Sequence, residues 1–229
     1  MKFEDFWYIV AFSNQLKPNT VISRQVLGEW LAVFRGEDGK PVALQDKCIH
    51  RNSRLSKGKV CQGKIECPYH GWVYDDTGTV VAVPSEGKNF CQSITRKSPA
   101  YQTKEQDGYV YVRLSSNPEE EFPPFKMPFY QQPGWETVRV INRFENNVTN
   151  CAENFIDIPH TASVHPGVFR KPSQQQLDMT VERRNGCVFA EYRNETTNLG
   201  LFSKFLNRQV YKIRHIDSFH MPNVTSVEY

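Results

Sequence analysis

The chain has 229 residues and a mass of 26.6 kDa, enough for one large domain or two modest ones. Its composition, 39% apolar and 23% charged with 13 Gly and 14 Pro, is that of a globular protein and excludes a fibrous, collagen-like or wholly disordered one. The 28 basic and 25 acidic residues leave a net charge of +3, a near balance that argues against a nucleic-acid-binding surface.

From the N-terminus, Met1-Lys2-Phe3-Glu4-Asp5 is charged and leads directly into Phe6-Trp7-Tyr8-Ile9-Val10. That order lacks the uninterrupted apolar core and small-residue cleavage site of a secretory signal. No apolar run reaches the roughly 18 residues of a membrane helix. The expectation is a soluble cytoplasmic protein, in which the sequons Asn147-Val148-Thr149 and Asn194-Glu195-Thr196 carry no meaning.

The first 115 residues are β-rich. Strand-like runs are expected at Val21–Leu27, Glu29–Arg35, Pro41–Gln45, Lys64–Cys67, Trp72–Asp75, Thr79–Val83 and Gly108–Leu114, separated by turn signals such as Glu37-Asp38-Gly39-Lys40 and Asp75-Asp76-Thr77-Gly78. Many short, closely spaced strands predict a small antiparallel barrel or sandwich. Residues 116–134 are then polar, acidic and proline-rich, a junction whose acidic triplet Glu119-Glu120-Glu121 reads as a solvated surface. A second domain is expected from Trp135. Its strand candidates are Thr137–Phe144, Met179–Arg184 paired with Cys187–Tyr192 around Asn185-Gly186, Gln209–Asp217 and Val224–Tyr229. Thr149–Ile158 is the best helix candidate, closed by Pro159.

Six cysteines are too sparse for a disulfide scaffold, and spacing separates them. Cys48-Ile49-His50 is followed, after sixteen intervening residues, by Cys67-Pro68-Tyr69-His70. Each pair sets a thiolate and an imidazole at the end of a short loop framed by strands, so two loops supply two sulfurs and two nitrogens. Zinc uses the same ligands. The neighbours favour an iron–sulfur cluster: Gly71 permits close backbone approach, Pro68 stiffens its loop, and Ser53 and Ser56 are hydrogen-bond donors available to sulfide. Cys61, Cys91, Cys151 and Cys187 read as plain buried or partly buried thiols.

Cys48-x-His50-Arg51 running on to Leu55-Ser56-x-Gly58, then Cys67-x-Tyr69-His70-Gly71-Trp72, resembles the cluster-binding loops of Rieske proteins. The resemblance implies a Rieske [2Fe–2S] cluster held by Cys48, His50, Cys67 and His70. Ile49 departs from the proline of many relatives, which bears on loop rigidity. Ser53 and Tyr69 occupy the positions of the bridging cysteines of cytochrome bc-type Rieske proteins, so a soluble centre of lower potential is implied.

About ninety residues later comes Asp157-Ile158-Pro159-His160, continuing to His165-Pro166-Gly167. His160 and His165 stand five apart, which on an unbroken helix separates them by roughly 140°. Convergence on one metal requires a break, for which Pro159 and Pro166-Gly167 are well placed. Asp157 sits three before His160, suited to fixing an imidazole tautomer. Alone, this pattern fits a surface helix end with two solvated histidines equally well.

The two motifs together resemble the α subunits of Rieske non-haem iron oxygenases, the ring-hydroxylating dioxygenases with their monooxygenase and O-demethylase relatives. The fold class implied is α+β: a β-rich Rieske domain over 1–115, the junction over 116–134, and from 135–229 the start of a helix-grip catalytic domain with an antiparallel sheet, incomplete in this sequence. The resemblance further implies a mononuclear Fe(II) on His160 and His165, and an electron bridge through Asp157 to a Rieske histidine, that matching His70, of a neighbouring subunit in a homotrimer. Electrons would come from NAD(P)H through a ferredoxin or flavin reductase, and oxygen would be activated toward a small organic substrate. The third iron ligand of the family is a carboxylate on a late helix. Asp178, Glu182, Glu191, Asp217 and Glu228 do not match its position, and the expectation is a sequence continuing past Tyr229. His215 and His220 read as ordinary sheet or pocket-lining residues. Phe155, Val164, Phe169, Phe202 and Phe205 are apolar candidates for a pocket, with core packing as their default role. The substrate is not legible. The rival readings are a Rieske electron carrier without its own oxygenase site, and a zinc-stabilised binding module.

Overall fold

Hairpins closed by left-handed two-residue turns recur through this protein, and they set its strand registers. The computed structural model describes residues 2–116, 122–165, 178–196 and 212–228. The chain divides into two compact units, Met1–Thr137 and Val138–Tyr229.

Unit 1 contains β1 (Tyr8–Phe12), β2 (Val21–Val26), β3 (Glu29–Arg35), β4 (Pro41–Gln45), β5 (Lys59–Cys61), β6 (Lys64–Glu66), β7 (Val73–Tyr74), β8 (Val80–Ala82), β9 (Ala100–Gln106) and β10 (Tyr109–Arg113). They form two antiparallel sheets, one of order β1-β10-β9-β4-β3-β2 and a meander β5-β6-β7-β8. The turns Leu27-Gly28, Gln62-Gly63 and Asp107-Gly108 each hold both residues at positive φ, the geometry whose twist matches that of the flanking strands. The composition-based expectation missed β1, β5 and β9. In β9, Tyr101-Gln102-Thr103-Lys104-Glu105 carries little apolar signal, and the strand is fixed by pairing with β4 and β10.

β3 is buried on both faces. Ala32 and Phe34 join Val42, Leu44, Leu55, Ile65, Tyr74 and Val80 in the core between the sheets, while Leu31 and Val33 pack with Val10, Val26, Val110 and Val112 on the opposite side. Such a strand reads as a continuous apolar run, and Leu31-Ala32-Val33-Phe34 is one. Cys48 and Cys67 belong to the inter-sheet core, so the two motif loops are rooted in the best-packed part of the unit. Gly58 is required there: a Cβ on it would lie 1.9 Å from the Glu66 carbonyl oxygen.

Unit 2 contains α1 (Val148–Ile156), α2 (His160–Val164), β11 (Asp178–Arg184), β12 (Cys187–Thr196), β13 (Lys212–His220) and β14 (Val224–Glu228). The strands form an antiparallel meander in sequence order, and α1 packs on β13 and β14. Asn147 caps α1, its side-chain oxygen accepting the Asn150 N–H at 2.8 Å. The β11–β12 turn is Asn185-Gly186, both at positive φ, as the two-residue turn signal predicts.

Two expectations need correction. Thr137–Phe144 is not a strand: its residues take no ladder partner among the described residues, and Val138, Val140 and Ile141 are exposed. Alternating apolar residues define a face but supply no neighbouring strand. The helix expected through Ile158 ends at Ile156, because Asp157 leaves the helical region with φ −87° and ψ 84°. Pro159 serves as the N-cap of α2. Pro166-Gly167, Phe169, Phe202, Phe205, the acidic triplet and residues 209–211 of an expected strand lie outside the described residues, as does Tyr229. Among the described residues no helix is long and apolar enough to cross a membrane.

Candidate metal centres

The first motif loop leaves β4 and returns at β5; the second joins β6 to β7. In the first, the Cys48 N–H donates to the Ser53 carbonyl and the Asn52 N–H to the Cys48 carbonyl, both at 2.8 Å. The second is closed by Cys67 N–H to Trp72 O at 2.8 Å and Gly71 N–H to Cys67 O at 3.1 Å, with Gly71 at φ 69°. These tight turns set Cys48 against Cys67 and His50 against His70, and among the described residues no three or more His, Cys, Asp or Glu are grouped so as to hold one metal ion. The thiols are each 2% exposed, whereas both imidazoles are exposed, their ring centres 4.7 Å apart. His50 stacks on Trp72 at 4.8 Å and an interplanar angle of 11°. The sulfurs thus pair in the interior and the imidazoles pair at the surface. This two-plus-two split suits two bridged metal ions better than a single ion.

Burial pushes the Cys67 thiol up, the backbone N–H groups of Tyr69 and His70 act in the opposite direction, and the neighbouring Cys48 adds to the upward shift. Two thiols so placed become thiolates when a cation compensates their charge. Tyr74 lies behind them. Its hydroxyl oxygen accepts the Ile49 N–H at 3.1 Å and stands 3.0 Å from Cys48 Sγ. The phenol is the stronger donor of the pair, so its O–H donates to the sulfur. Burial, then the contact with Cys48, holds that phenol far above its ordinary pKa.

Asp46 anchors the first loop. Its carboxylate, 4% exposed, accepts from Ser56 N–H and Oγ–H, both at 2.6 Å, from Arg54 Nε at 2.9 Å and from Ser23 Oγ at 3.1 Å. Burial raises its pKa, but the Ser56, Arg54 and Ser23 hydrogen bonds outweigh burial and hold it below the ordinary carboxylate value. Ser56 is therefore committed to Asp46, which corrects its assignment as a donor to sulfide.

In unit 2, the break at Asp157–Pro159 puts His160 at the start of α2, and His165 follows its last residue with φ −122° and ψ 53°. The two rings stand edge to face, 5.8 Å between centres. His160 Nδ1–H donates to the Asp157 backbone carbonyl, leaving the Nε2 lone pair for a metal. The Asp157 carboxylate is farther, 3.9 Å from Nδ1, and its side chain is 56% exposed. A cavity of about 320 Å³ adjoins the pair, lined by Asn154, Phe155, His160, His165, His215 and Asp217 among others. Among the described residues no third His, Cys, Asp or Glu joins the two histidines in a metal-binding group.

Residues 6–102 match the Rieske [2Fe–2S] domain family. Chlorophyllide a oxygenase of Oryza sativa subsp. japonica is 32% identical over 170 residues, covering 73% of this chain and 30% of that protein. Methylxanthine N1-demethylase NdmA of Pseudomonas putida is 28% identical over 191 residues, 79% of this chain and 53% of that one. The chain carries a Rieske [2Fe–2S] domain, and its homologues and structural neighbours are Rieske non-haem iron oxygenases. In fold it is similar to dicamba monooxygenase in its dicamba-bound crystal structure, with a TM-score of 0.82 and 23% identity over 99% of this chain and 66% of the other. This chain spans between about a third and about half of the length of the curated relatives just described.

Within this Rieske chain, several residues escaped the sequence reading. Tyr74 and Asp46 have no motif spacing to mark them. His215 does line the cavity from a strand, as read from the sequence, but its buried pairing with Asp217, Nε2 to Oδ1 at 2.9 Å, was missed. The available signal was His-x-Asp in a strand, which puts both side chains on one face. Phe155 lines the cavity, whereas Val164 is exposed and lies outside that lining. Cys61 and Cys91 are exposed, correcting their expected burial, and Cys151 and Cys187 are half-buried.

Proposed function

We propose that this chain is the oxygenase component of a Rieske system, holding a [2Fe–2S] cluster on Cys48, His50, Cys67 and His70 and a mononuclear Fe(II) on His160 and His165. The reading divides the chain into a Rieske domain over 1–115, a junction over 116–134 and the opening of a helix-grip catalytic domain over 135–229. The observation that carries it is a buried thiol pair and an exposed imidazole pair on the same two loops, within a chain that also brings two histidines together beside a cavity.

When bound, the cluster supplies one-electron transfer and the ferrous ion supplies oxygen activation toward hydroxylation or demethylation of a small organic substrate. The protein's own part is positional. Cys48 and Cys67 keep their sulfurs out of water, and Tyr74 directs a proton at Cys48 Sγ. His50 and His70 present ring edges at the surface, where an electron enters or leaves. The Asp157 carbonyl fixes the His160 tautomer, and its exposed carboxylate is available to a His70 from another subunit. Reduction by NAD(P)H through a ferredoxin or flavin reductase, assembly as a homotrimer and residence in the cytoplasm complete the proposal.

The test is metal analysis with variants of the full-length protein. The wild type should carry about three irons and two acid-labile sulfides per chain, and the double variant His160→Ala/His165→Ala about two of each. Asp157→Asn should keep all of them while single-turnover oxidation of the reduced cluster by oxygen with substrate slows at least about 100-fold. Zinc without sulfide would refute the reading, and unchanged iron in the double variant would refute the mononuclear site.

A further inference from the structure

The His215–Asp217 pair occupies the sheet side of the cavity that adjoins His160 and His165. Both side chains are 1% exposed, and they lie on the same face of β13 because alternate residues of a strand point the same way. Asp217 is paired in register with Ala190 of β12 and Val227 of β14, so the residue sits on an interior strand and not at a sheet edge. A carboxylate only accepts, so His215 Nε2–H donates to Asp217 Oδ1 at 2.9 Å and holds the carboxylate plane fixed. The second oxygen, Oδ2, is buried and has no hydrogen-bond partner among the described residues.

Leaving a carboxylate oxygen unpaired inside a protein is costly, on the order of 1–3 kcal/mol or more. Almost all such groups find a donor. Here the carboxylate lines a cavity of about 320 Å³ whose other walls include Phe155, Ile158 and Val227. Asn154, Asp157 and Thr161 add polar groups to the lining, but among these acceptors Asp217 Oδ2 is the one that is buried and left without a partner among the described residues, and a small-molecule site sets orientation through such a group.

We propose that Asp217 Oδ2 is the substrate-orienting group of this cavity, and that the molecule bound there presents an N–H or O–H donor to it. His215 acts through Asp217 as a positioning residue. This inference rests on the oxygenase reading for the identity of the bound molecule as substrate, but the donor preference it predicts does not depend on iron. A molecule held by this one oxygen is fixed in rotation, which decides which of its carbons faces His160 and His165. A site that demands a donor rejects the analogue lacking one, because Oδ2 is then left buried and unpaired.

Binding of matched probes tests it. In the full-length protein, calorimetric affinities are measured for indole against 1-methylindole, and for oxindole against 1-methyloxindole. The donor-bearing member of each pair should bind about 10-fold tighter or more, the size of a hydrogen bond to a charged acceptor. In Asp217→Asn, whose amide keeps the shape but loses the charge, the ratio should fall below about 3-fold. A second readout avoids the variant: in the wild-type protein, the carboxylate infrared band should shift with indole and stay still with 1-methylindole. Equal affinities in the wild type, failure of all four probes to bind, or a ratio unchanged in Asp217→Asn would overturn the proposal. Loss of the mononuclear iron site by metal analysis, with the donor preference intact, would instead remove the oxygenase reading and leave Asp217 as a ligand-binding group.

Discussion

Tyr74 shows how one side chain sets a property of a metal centre without ligating it. Its proton is aimed at Cys48 Sγ by the Ile49 N–H that occupies the phenol oxygen from the other side. A donor to a thiolate sulfur stabilises the more negative, reduced state of a cluster. Tyr74→Phe keeps the ring in the core and deletes only that donor. The variant should lower the reduction potential on the order of 50 mV, about 1 kcal/mol for one electron, as read by film voltammetry. An unchanged potential would mean that the hydroxyl does not reach the sulfur when metal is bound. At this scale the sequence was only partly legible. Cys48-x-His50 and Cys67-x-x-His70 announce themselves because their donors are local in the chain. Tyr74 and Asp46 matter through tertiary approach, which spacing does not encode, and the His-x-Asp spacing of His215 and Asp217 shows a shared strand face but not the cavity it borders.

At the scale of elements, the hairpins and the helix break do most of the positioning. Arg35 at the end of β3 grips Glu105 on β9 through two hydrogen bonds of 2.6 and 2.9 Å, and also donates to the carbonyls of Leu16, Ser13 and Gly39. The Arg35 side chain holds the Glu105 carboxyl below its ordinary value, against a smaller upward push from burial. A lowered folded-state pKa means that the stabilisation is present above the ordinary value and fades as pH falls through the folded one. Wild-type stability should therefore decline on the acid side, below about pH 4.5, and Glu105→Gln should flatten that part of the profile; urea midpoints between about pH 3 and 7 measure it. In unit 2, Asn147→Ala removes the cap of α1 and should cost about 1 kcal/mol, seen in the same kind of titration. Strands such as β3 and β4 were legible because their apolar runs coincide with burial on both faces or beside the core. The two-residue β7 was overextended and the largely polar β9 was missed, since pairing with neighbours, not composition, makes them strands. Thr137–Phe144 failed for the converse reason: it has the pattern without a partner among the described residues.

For the whole molecule, the architecture follows a division of labour between two units. Unit 1 invests its inter-sheet core in rooting Cys48 and Cys67, while unit 2 uses a broken helix over a sheet to set two imidazoles beside a cavity. Both the β-rich character of the first part and the antiparallel sheet of the second were readable from strand runs and turn signals. The cavity was not, because its walls come from α1, α2, β13 and β14, segments far apart in sequence. The central claim concerns the paired thiols and paired imidazoles of unit 1, and low-temperature electron paramagnetic resonance of the dithionite-reduced protein tests it most directly. The account predicts an anisotropic spin-one-half signal that appears on reduction, accompanied by about two acid-labile sulfides per chain. A reduced protein that is silent at all temperatures and free of sulfide would contradict it.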